Sequence, residues 1–129
     1  MAKKNKNTHY VSTLGKTWLF DIDGTVVKHN GYKTDGHDTL LEGAKEFLSS
    51  LPVDDKIIFI TSRTEEHRQE TLDFLEKENI RFDDVIFGLP FGERILINDE
   101  KPGGLKTSVA INTKRDEFMT DRFIVDPNL

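Results

Sequence analysis

Two aspartates, Asp21 and Asp23, are separated by one residue and directly follow the apolar run 17–20. Alternate residues that leave a strand differ in direction, so the two carboxylates can occupy different environments and take different roles. One can attack an electrophile while the other transfers protons. A carboxylate attacks phosphorus once a cation neutralises the phosphoryl oxygens. The pair therefore indicates phosphoryl chemistry with the help of a metal ion.

Polar side chains also follow two later apolar runs: Thr61, Ser62 and Arg63 follow residues 57–60, and Asn98, Asp99, Glu100 and Lys101 follow residues 95–97. Ligands of parallel α/β sheets collect beyond the carboxyl ends of the strands, so we expect these side chains to converge with the two aspartates on one pocket. Mg2+ prefers oxygen ligands and binds through a few carboxylates together with substrate phosphate and water. We therefore predict a phosphate and magnesium site, to which Asp99 supplies a carboxylate.

The elements that must position these side chains alternate along the chain. Short apolar runs predict strands at residues 17–20, 56–61, 85–87, 95–97 and 108–111, with an edge strand at 123–125. Apolar residues at intervals of three and four predict a helix over 39–50. A second helix is predicted from Thr64, whose side chain can cap it, to about Asn79. The alternation predicts an α/β fold, a three-layer Rossmann-like sandwich with a mainly parallel sheet of about five strands.

The composition limits the size and the partners of the protein. With 129 residues, of which 36% are hydrophobic, the chain can bury one compact core. We predict a flexible arm over 1–16, with a basic cluster of Lys3, Lys4 and Lys6, and a single domain over 17–129. The net charge of -5 gives no general attraction to nucleic acid or anionic lipid, so local positive charge must capture a phosphorylated small molecule.

Missing residue types and segments exclude several classes of protein. The chain has no cysteine, which excludes disulfides, zinc–thiolate sites and thiol nucleophiles. No apolar stretch approaches the ~20 residues that span a bilayer, and the start of the chain lacks the apolar run of a signal peptide. We therefore expect a cytoplasmic protein with no membrane partner.

The motif around the two aspartates resembles that of a known family. Residues 20–26 read Phe-Asp-Ile-Asp-Gly-Thr-Val and are similar to the first motif of the haloacid dehalogenase superfamily of aspartate-nucleophile phosphatases. The resemblance implies that Asp21 is the nucleophile and that Asp23 is the general acid and base. It also implies that Asp21 and the backbone carbonyl of Asp23 help to hold Mg2+. Gly24 and Thr25 are then expected to bind the substrate.

Two later motifs agree with this family in order and spacing. The apolar run that ends at Thr61 is similar to the second motif, which places the Thr61 hydroxyl on the phosphoryl group. Ser62 and Arg63 are expected as further substrate contacts. The run that ends at Asp99 is similar to the fourth motif and implies that Asp99 is a metal ligand. The resemblance extends over residues 17–112.

One position departs from the family pattern. Members of the family place a Lys or Arg before the fourth strand, where this chain has Leu89. A phosphoryl group needs a fixed cation in addition to the metal ion. Lys101 is our first choice, because it follows the metal ligand within a segment whose next residues, 102–104, read Pro-Gly-Gly. Arg63 and Arg94 are the other candidates.

The intervals between the motifs are too short to hold a cap domain, so we expect an open site. The loop 28–37 or a neighbouring subunit of a homo-oligomer is expected to close it. Together these features predict a Mg2+-dependent phosphomonoesterase that acts through an aspartyl-phosphate intermediate. The expected substrate is a sugar phosphate or another phosphorylated metabolite.

Two other functions stay open. Leu89 in the place of a cation also fits a non-catalytic binding module that retains the fold and the metal pocket. A polynucleotide 3′-phosphatase would need no cap, but the net charge of -5 and the lack of a basic stripe count against nucleic acid as a partner. The histidines form no ligand set, and Lys114 and Arg115 are interpreted as solvated charges.

Overall fold

The structure is a computed structural model that describes residues 7–129. The described residues fold into two compact units. The larger unit contains Gly15–Phe91 and Thr113–Phe118, and the smaller unit contains the described residues up to Leu14 with Gly92–Asn112 and Met119–Leu129. The predicted basic cluster of Lys3, Lys4 and Lys6 lies outside the described residues.

The described residues form a mixed α/β structure with parallel sheets of three and two strands. The strands are β1 (Thr8–Val11), β2 (Thr17–Asp21), β3 (Lys56–Ile60), β4 (Asp84–Ile86) and β5 (Arg122–Val125). The helices are α1 (Gly31–Thr34), α2 (Ala44–Ser50) and α3 (Arg68–Lys77), and a 3-10 turn at Glu65–His67 precedes α3. The α/β class that the sequence predicts is confirmed.

A three-stranded parallel sheet in the order β2-β3-β4 forms the base of the larger unit. β3 is central, and its alternate residues Ile57 and Phe59 are fully buried because β-branched and aromatic side chains pack well on a pleated surface. Asp21 is paired with Ile60 in the register, so the carboxyl ends of β2 and β3 lie side by side. The three predicted strands in this sheet are confirmed to within one residue at each end.

The core of the larger unit combines side chains from the sheet, from α2 and α3, and from the turn after β2. Its members are Phe20, Ile22, Val26, Val27, Ala44, Leu48, Leu51, Ile57, Phe59, Leu75, Ile80, Val85 and Phe87. Val26 and Val27 lie in the turn that follows β2, and both are fully buried. Burial of one such side chain contributes about 1.5–3 kcal/mol. The two valines therefore anchor that turn in the core.

α2 is shorter than the helix that the sequence predicts over 39–50. It begins only at Ala44, because Gly43 has a positive φ of 89° that no regular helix contains. Before it, the backbone N–H of Leu41 donates to the carbonyl of Val26 at 2.9 Å. This pairing holds the start of the predicted helix in an extended conformation.

α3 ends near the predicted position, but its start differs. The chain after Thr64 first makes the 3-10 turn Glu65–His67 and becomes α-helical at Arg68. The Thr64 side chain makes no capping hydrogen bond and instead donates to Oε1 of Glu66 at 3.2 Å. The predicted capping role of Thr64 is therefore wrong.

The smaller unit contains a two-stranded parallel sheet of β1 and β5. The sequence pattern predicts β5, but β1 falls in the segment 1–16 that was expected to be a flexible arm. The ring of His9 stacks on Phe123 at 5.0 Å, and its Nε2 lies 2.7 Å from Oδ2 of Asp121. The contact between His9 and Asp121 joins residues that are 112 positions apart, and no local sequence pattern predicts a contact of that range.

The strands predicted at 95–97 and 108–111 do not form, although both segments lie within the described residues. The side chains of Ile95 and Ile97 are 83% and 90% exposed, so they lack the packing that stabilises a strand. A single sheet of about five strands is thus not what the structure contains. Among residues 7–129, no helix has the length and apolar character needed to cross a membrane.

Candidate active site

A tight turn over residues 22–27, which we name the aspartate turn, follows β2. Asp21 is the last residue of the strand, and Asp23 lies in the turn. The backbone N–H groups of Val26 and Val27 both donate to the carbonyl of Ile22, and the N–H of Gly24 donates to the carbonyl of Val27 at 2.7 Å. Gly24 has a positive φ of 82°, which side-chain-bearing residues rarely adopt. The glycine of the motif therefore has a structural reason: it reverses the chain directly after the second aspartate.

Asp21 ends β2 and is partly buried. The hydroxyl of Thr25 donates to its Oδ2 at 3.4 Å. Thr61 follows β3 at the neighbouring strand end and is buried, and its hydroxyl accepts the backbone N–H of Arg63 at 3.0 Å. The sheet thus places the predicted nucleophile and the predicted second-motif threonine at the same edge, as the order of the motifs implied.

The turn after β3 is joined by its backbone to residues 88–90. The N–H of Leu89 donates to the Thr61 carbonyl at 3.1 Å, and the N–H of Gly88 donates to the Arg63 carbonyl at 2.7 Å. The hydroxyl of Ser62 donates to the carbonyl of Pro90 at 3.3 Å. Leu89, which stands where the family has a cation, therefore contributes to this edge through its main chain.

Arg63 is buried at the centre of a cluster of side chains, which we name the arginine clamp: Arg63, Asp23, Asp38, Thr71 and Tyr32. Nε and Nη2 of Arg63 donate to the two carboxylate oxygens of Asp23 at 2.9 and 3.0 Å. Nη1 and Nη2 donate to the carboxylate of Asp38 at 3.1 and 2.7 Å, and Nη1 also donates to the Thr71 hydroxyl at 2.9 Å. The Tyr32 ring lies 4.0 Å from the guanidinium carbon.

The clamp occupies the whole hydrogen-bonding capacity of Arg63. A guanidinium has five N–H donors, and five hydrogen bonds leave from it here. Burial by itself lowers the pKa of Arg63, but the hydrogen bonds and charges of Asp23 and Asp38 outweigh it and raise that pKa above its ordinary value. Arg63 is thus a permanent cation. In this arrangement it has no donor left for a substrate, although the sequence predicts it as a substrate contact.

Asp23 is the most accessible of the three charged groups in the clamp. Its side chain is 16% exposed, whereas those of Asp38 and Arg63 are 5% and 1% exposed. The backbone N–H of Asn30 adds a hydrogen bond to its Oδ1 at 3.3 Å. The carboxylate of Asp23 is therefore held from several sides but still meets solvent.

The segment 113–118 lies against the aspartate turn. The N–H of Asp116 donates to the Gly24 carbonyl at 2.8 Å, and Oδ1 of Asp116 accepts the N–H of His29 at 2.7 Å. Phe118 packs on Phe20 and Phe47, which fixes the segment on the core. Asp116 adopts a positive φ of 66°, a conformation that Asp tolerates better than most residues.

Arg115 is exposed, but its aliphatic stem lies beside the turn. Its Cγ would be 3.2 Å from a Cβ placed on Gly24. From the sequence Arg115 is interpreted only as a solvated charge, because no periodic pattern links residue 115 to residue 24. The same reason applies to Asp38 and Tyr32, which lie in a stretch without helical or strand periodicity. The only local signal was a cluster of glycines and polar residues over 28–37, which indicates a loop.

Asp99 and Lys101 belong to the smaller unit and are exposed. The carbonyl of Asp99 accepts the hydroxyl of Thr107. The N–H of Gly104 donates to the Lys101 carbonyl at 2.7 Å, which closes a turn through the Pro-Gly-Gly segment. The structure thus brings Asp21, Asp23, Gly24, Thr25, Thr61, Ser62 and Arg63 together in the larger unit and holds Asp99 and Lys101 in the smaller one.

The described residues offer a limited set of metal ligands. Over 7–129, no group of three or more His, Asp or Glu side chains could hold a metal ion. The Asp21 carboxylate and the Asp23 backbone carbonyl are oxygen donors of the kind that Mg2+ prefers. The Asp23 carboxylate is bound by Arg63. A magnesium site here therefore fits two oxygen ligands and needs a further carboxylate.

Comparisons with models of protein families, with curated proteins and with solved structures found no match.

Proposed function

We propose that this chain is a Mg2+-dependent phosphomonoesterase that acts through an aspartyl-phosphate intermediate. One observation carries the proposal: two carboxylates at the end of one parallel strand have different partners. Asp21 accepts a threonine hydroxyl, whereas Asp23 is bound through both oxygens to a buried arginine. Carboxylates in different environments are suited to different roles in acid–base and nucleophilic chemistry. The resemblance of the motifs supports the same assignment.

In the proposed mechanism Asp21 attacks the phosphorus atom while Asp23 gives a proton to the leaving oxygen. The bond from Asp21 to phosphorus forms as the bond to the leaving group breaks. Asp23 then takes a proton from the water that attacks the phosphorus atom, and the bond from Asp21 to phosphorus breaks. Inorganic phosphate leaves, Asp21 is again a carboxylate, and Asp23 is again protonated. When bound by Asp21, the Asp23 carbonyl and Asp99, Mg2+ would neutralise phosphoryl oxygens.

The proposed substrate contacts surround the turn. Gly24 and Thr25 are adjacent to the nucleophile, and Thr61 and Ser62 end the neighbouring strand. We propose a sugar phosphate or another phosphorylated metabolite as the substrate, captured at an open site without a cap domain. A neighbouring subunit would then help to close it. Sedimentation of the protein at micromolar concentration tests that last point, since a monomer would contradict it.

For the fold, we propose that the three-stranded sheet is part of a Rossmann-like sandwich of about five strands. In this proposal the apolar run 95–97 supplies a further strand, which its β-branched residues favour. Amide hydrogen exchange tests it: protection at 95–97 supports a strand, and exchange at the rate of an open chain contradicts it.

Lys101 is the proposed cation for the phosphoryl group, and Arg115 is the alternative. Lys101 follows the proposed metal ligand Asp99 closely in the sequence. Arg115 has the support of its contact with Gly24 in the aspartate turn. Because Arg63 has all its donors engaged in the clamp, a cation from outside the clamp is required.

A non-catalytic phosphate-binding module is the second candidate. Leu89 in place of the usual cation favours it, as does the commitment of Arg63 to carboxylates. Beryllium fluoride with Mg2+ mimics a phosphoryl group on Asp21 and should raise the melting temperature if the pocket is intact, because binding to the native state stabilises it. A shift without turnover would favour the module.

The decisive experiment measures the hydrolysis of phosphate monoesters, first p-nitrophenyl phosphate and then a panel of phosphorylated metabolites. Turnover should require Mg2+, stop in EDTA and disappear in Asp21→Asn. Activity that is indifferent to both EDTA and Asp21→Asn would contradict the proposed function. Asp54→Asn, a change at an exposed carboxylate of the larger unit, is the matched control and should retain full activity.

A further inference from the structure

The arginine clamp joins four separate parts of the larger unit. Arg63 follows β3, Asp23 follows β2, Thr71 belongs to α3, and Asp38 lies between α1 and α2. Buried charges are retained without a large penalty only when every donor and acceptor is satisfied, and Arg63 meets this condition. The cluster is therefore a built arrangement and not a chance surface pair.

The role of Asp38 follows from its burial and its partner. Its side chain is 5% exposed, and both carboxylate oxygens accept hydrogen bonds from Arg63. Because both oxygens are bound by Arg63, the influence of Asp38 on chemistry at the end of β2 would act through Arg63.

The geometry of Arg63 determines the orientation of Asp23. Nε and Nη2 form one edge of the planar guanidinium, and they donate to the two oxygens of Asp23. Such a bidentate pair fixes the plane of the carboxylate as well as its distance. The other edge of Arg63 is held in turn by Asp38 and Thr71, so the guanidinium itself cannot rotate.

We propose that Arg63 and Asp38 are positioning residues that orient the Asp23 carboxylate for proton transfer to the leaving group. This inference rests on the proposed function. Asp23 enters the phosphorylation step protonated, and its proton moves to the leaving oxygen as the bond from that oxygen to phosphorus breaks, which leaves Asp23 as the carboxylate that Arg63 binds. A misdirected carboxylate slows this step in proportion to how much the leaving group needs a proton. Alkoxide leaving groups need it, and p-nitrophenolate does not.

The test compares two substrates with Asp38→Asn, a change of nearly constant size that removes the charge holding Arg63. The quantity is kcat/KM, which covers the steps up to phosphorylation of Asp21 and excludes the later attack by water. For an alkyl phosphate, kcat/KM should fall about a hundredfold, the lower end of what general acid catalysis contributes. For p-nitrophenyl phosphate it should fall by less than about fivefold, as no proton is required.

Thr71→Val is the matched control, because it removes a neutral contact to the same guanidinium, together with the hydrogen bond from the Thr71 hydroxyl to the His67 carbonyl, and no charge. It should lower kcat/KM for both substrates by the same small factor. Arg63→Lys retains the charge but loses the two-pronged donor, so it should reproduce the leaving-group dependence of Asp38→Asn. This second variant keeps the test decisive if Asp38→Asn does not fold.

The Nε–H resonance of Arg63 provides a readout that does not depend on activity. In the wild-type protein it should be visible by NMR and protected from exchange with water, because Nε donates to Asp23. In Asp38→Asn this protection should fall, because the guanidinium is no longer held by Asp38, and unchanged protection would contradict the positioning role. An equal loss of kcat/KM for both substrates would overturn the inference and leave the proposed function standing. A wild-type protein without turnover on any phosphate ester would instead overturn the proposed function, and the inference with it.

Discussion

Two stretches of this chain share one local pattern and have different structures. In residues 17–23 an apolar run leads into Asp21, and in residues 95–99 another apolar run leads into Asp99. The first run forms β2 of the larger unit, where Phe20 is buried. The second run, in the smaller unit, has no regular structure, and Ile97 is 90% exposed. An apolar run before an aspartate is therefore not sufficient to make a strand.

The contacts of the first stretch explain the difference. β2 has β3 as a parallel partner, and the Trp18 indole donates to Oδ2 of Asp55 at 2.9 Å. Phe20 packs against the rings of Phe47, Phe59 and Phe118. Strand formation depends on such cross-strand and facing side chains more than on the intrinsic preference of the run.

The largest expected effect separates the roles of Asp21 and Asp99, the aspartates that follow the two apolar runs. Asp21→Asn should abolish turnover at every Mg2+ concentration, because no acyl phosphate can form. Asp99→Asn should lower activity in a way that higher Mg2+ partly restores, because loss of a metal ligand weakens metal binding without removing the nucleophile. Activity is measured as a function of Mg2+, and phosphate on the protein is located by mass spectrometry. Covalent phosphate on Asp23 would reverse the assignment of nucleophile and proton donor.

The next effect decides whether Lys101 or Arg115 supplies the cation for the phosphoryl group. Lys101→Met should lower kcat by roughly a hundredfold, as the loss of one electrostatic contact to the transition state does. Arg115→Met should lower it by less than about tenfold. Steady-state kinetics at saturating Mg2+ measures both. A large loss with Arg115→Met and near-normal activity with Lys101→Met would assign the cation to the segment that contacts Gly24.

A pair of glycine substitutions compares the backbone shortly after each stretch, at Gly24 and at Gly103. Gly24→Ala should lower the free energy of unfolding by about 1–2 kcal/mol, because Gly24 has a φ of 82° that L-residues avoid. Gly103→Ala in the smaller unit is the control, since a Cβ there meets nothing within 4 Å. It should change stability by less than about 0.5 kcal/mol. Urea denaturation measures the free energy of unfolding of both variants. A loss for Gly24→Ala no larger than that for Gly103→Ala would show that a side chain at residue 24 does not strain the turn.

Matched core substitutions test whether the second stretch is packed in solution. Ile57→Val in fully buried β3 should cost about 0.5–1.5 kcal/mol of unfolding free energy. Ile97→Val at the exposed position should stay within about 0.5 kcal/mol of the wild type. Denaturant midpoints give both values. A cost at Ile97 as large as that at Ile57 would contradict the exposure of Ile97 and would mean that its side chain is buried.

The smallest effect concerns acid stability at the start of β3. The backbone N–H of Ile57 donates to Oδ2 of Asp83, which holds the pKa of Asp83 below its ordinary value, with Lys56 and Arg81 contributing. A lowered folded-state pKa stabilises the protein above the unfolded value, and this stabilisation is lost as the pH falls through the folded value. Asp83→Asn should therefore flatten the dependence of the melting temperature on pH in the acid range. Asp54→Asn should leave that dependence unchanged. If the part of the pH dependence that Asp83→Asn removes lay near neutral pH and not in the acid range, the result would contradict this explanation.

Much of the larger unit could be predicted from the sequence. The apolar runs predict β2, β3 and β4, because a short run of β-branched and aromatic residues favours a strand wherever a partner is present. The periodic apolar residues of α3 predict that helix. The start of α2 could not be predicted, since the pairing of Leu41 with Val26 overrides a helical pattern.

The candidate site shows the same division. Asp21, Asp23, Gly24 and Thr61 are recognisable from their motifs, because each follows a strand at a short and regular spacing. Asp38 and Arg115 are not recognisable, since they reach the site from irregular segments. The bond from Arg63 to Asp23 spans 40 residues, and the sequence predicted Arg63 as a substrate contact.

The amino-acid sequence by itself determines the α/β class and the positions of β2, β3 and β4. It also shows which residues could do chemistry at the ends of β2 and β3. Those features depend on the side-chain period and on the local preferences of the backbone, which a few adjacent residues set. Only the tertiary structure shows that Arg63 binds carboxylates, that β1 pairs with β5, and that the segment 113–118 lies on the aspartate turn. Each of these contacts depends on which distant groups satisfy a buried charge or a backbone donor or acceptor, and no local pattern contains that information.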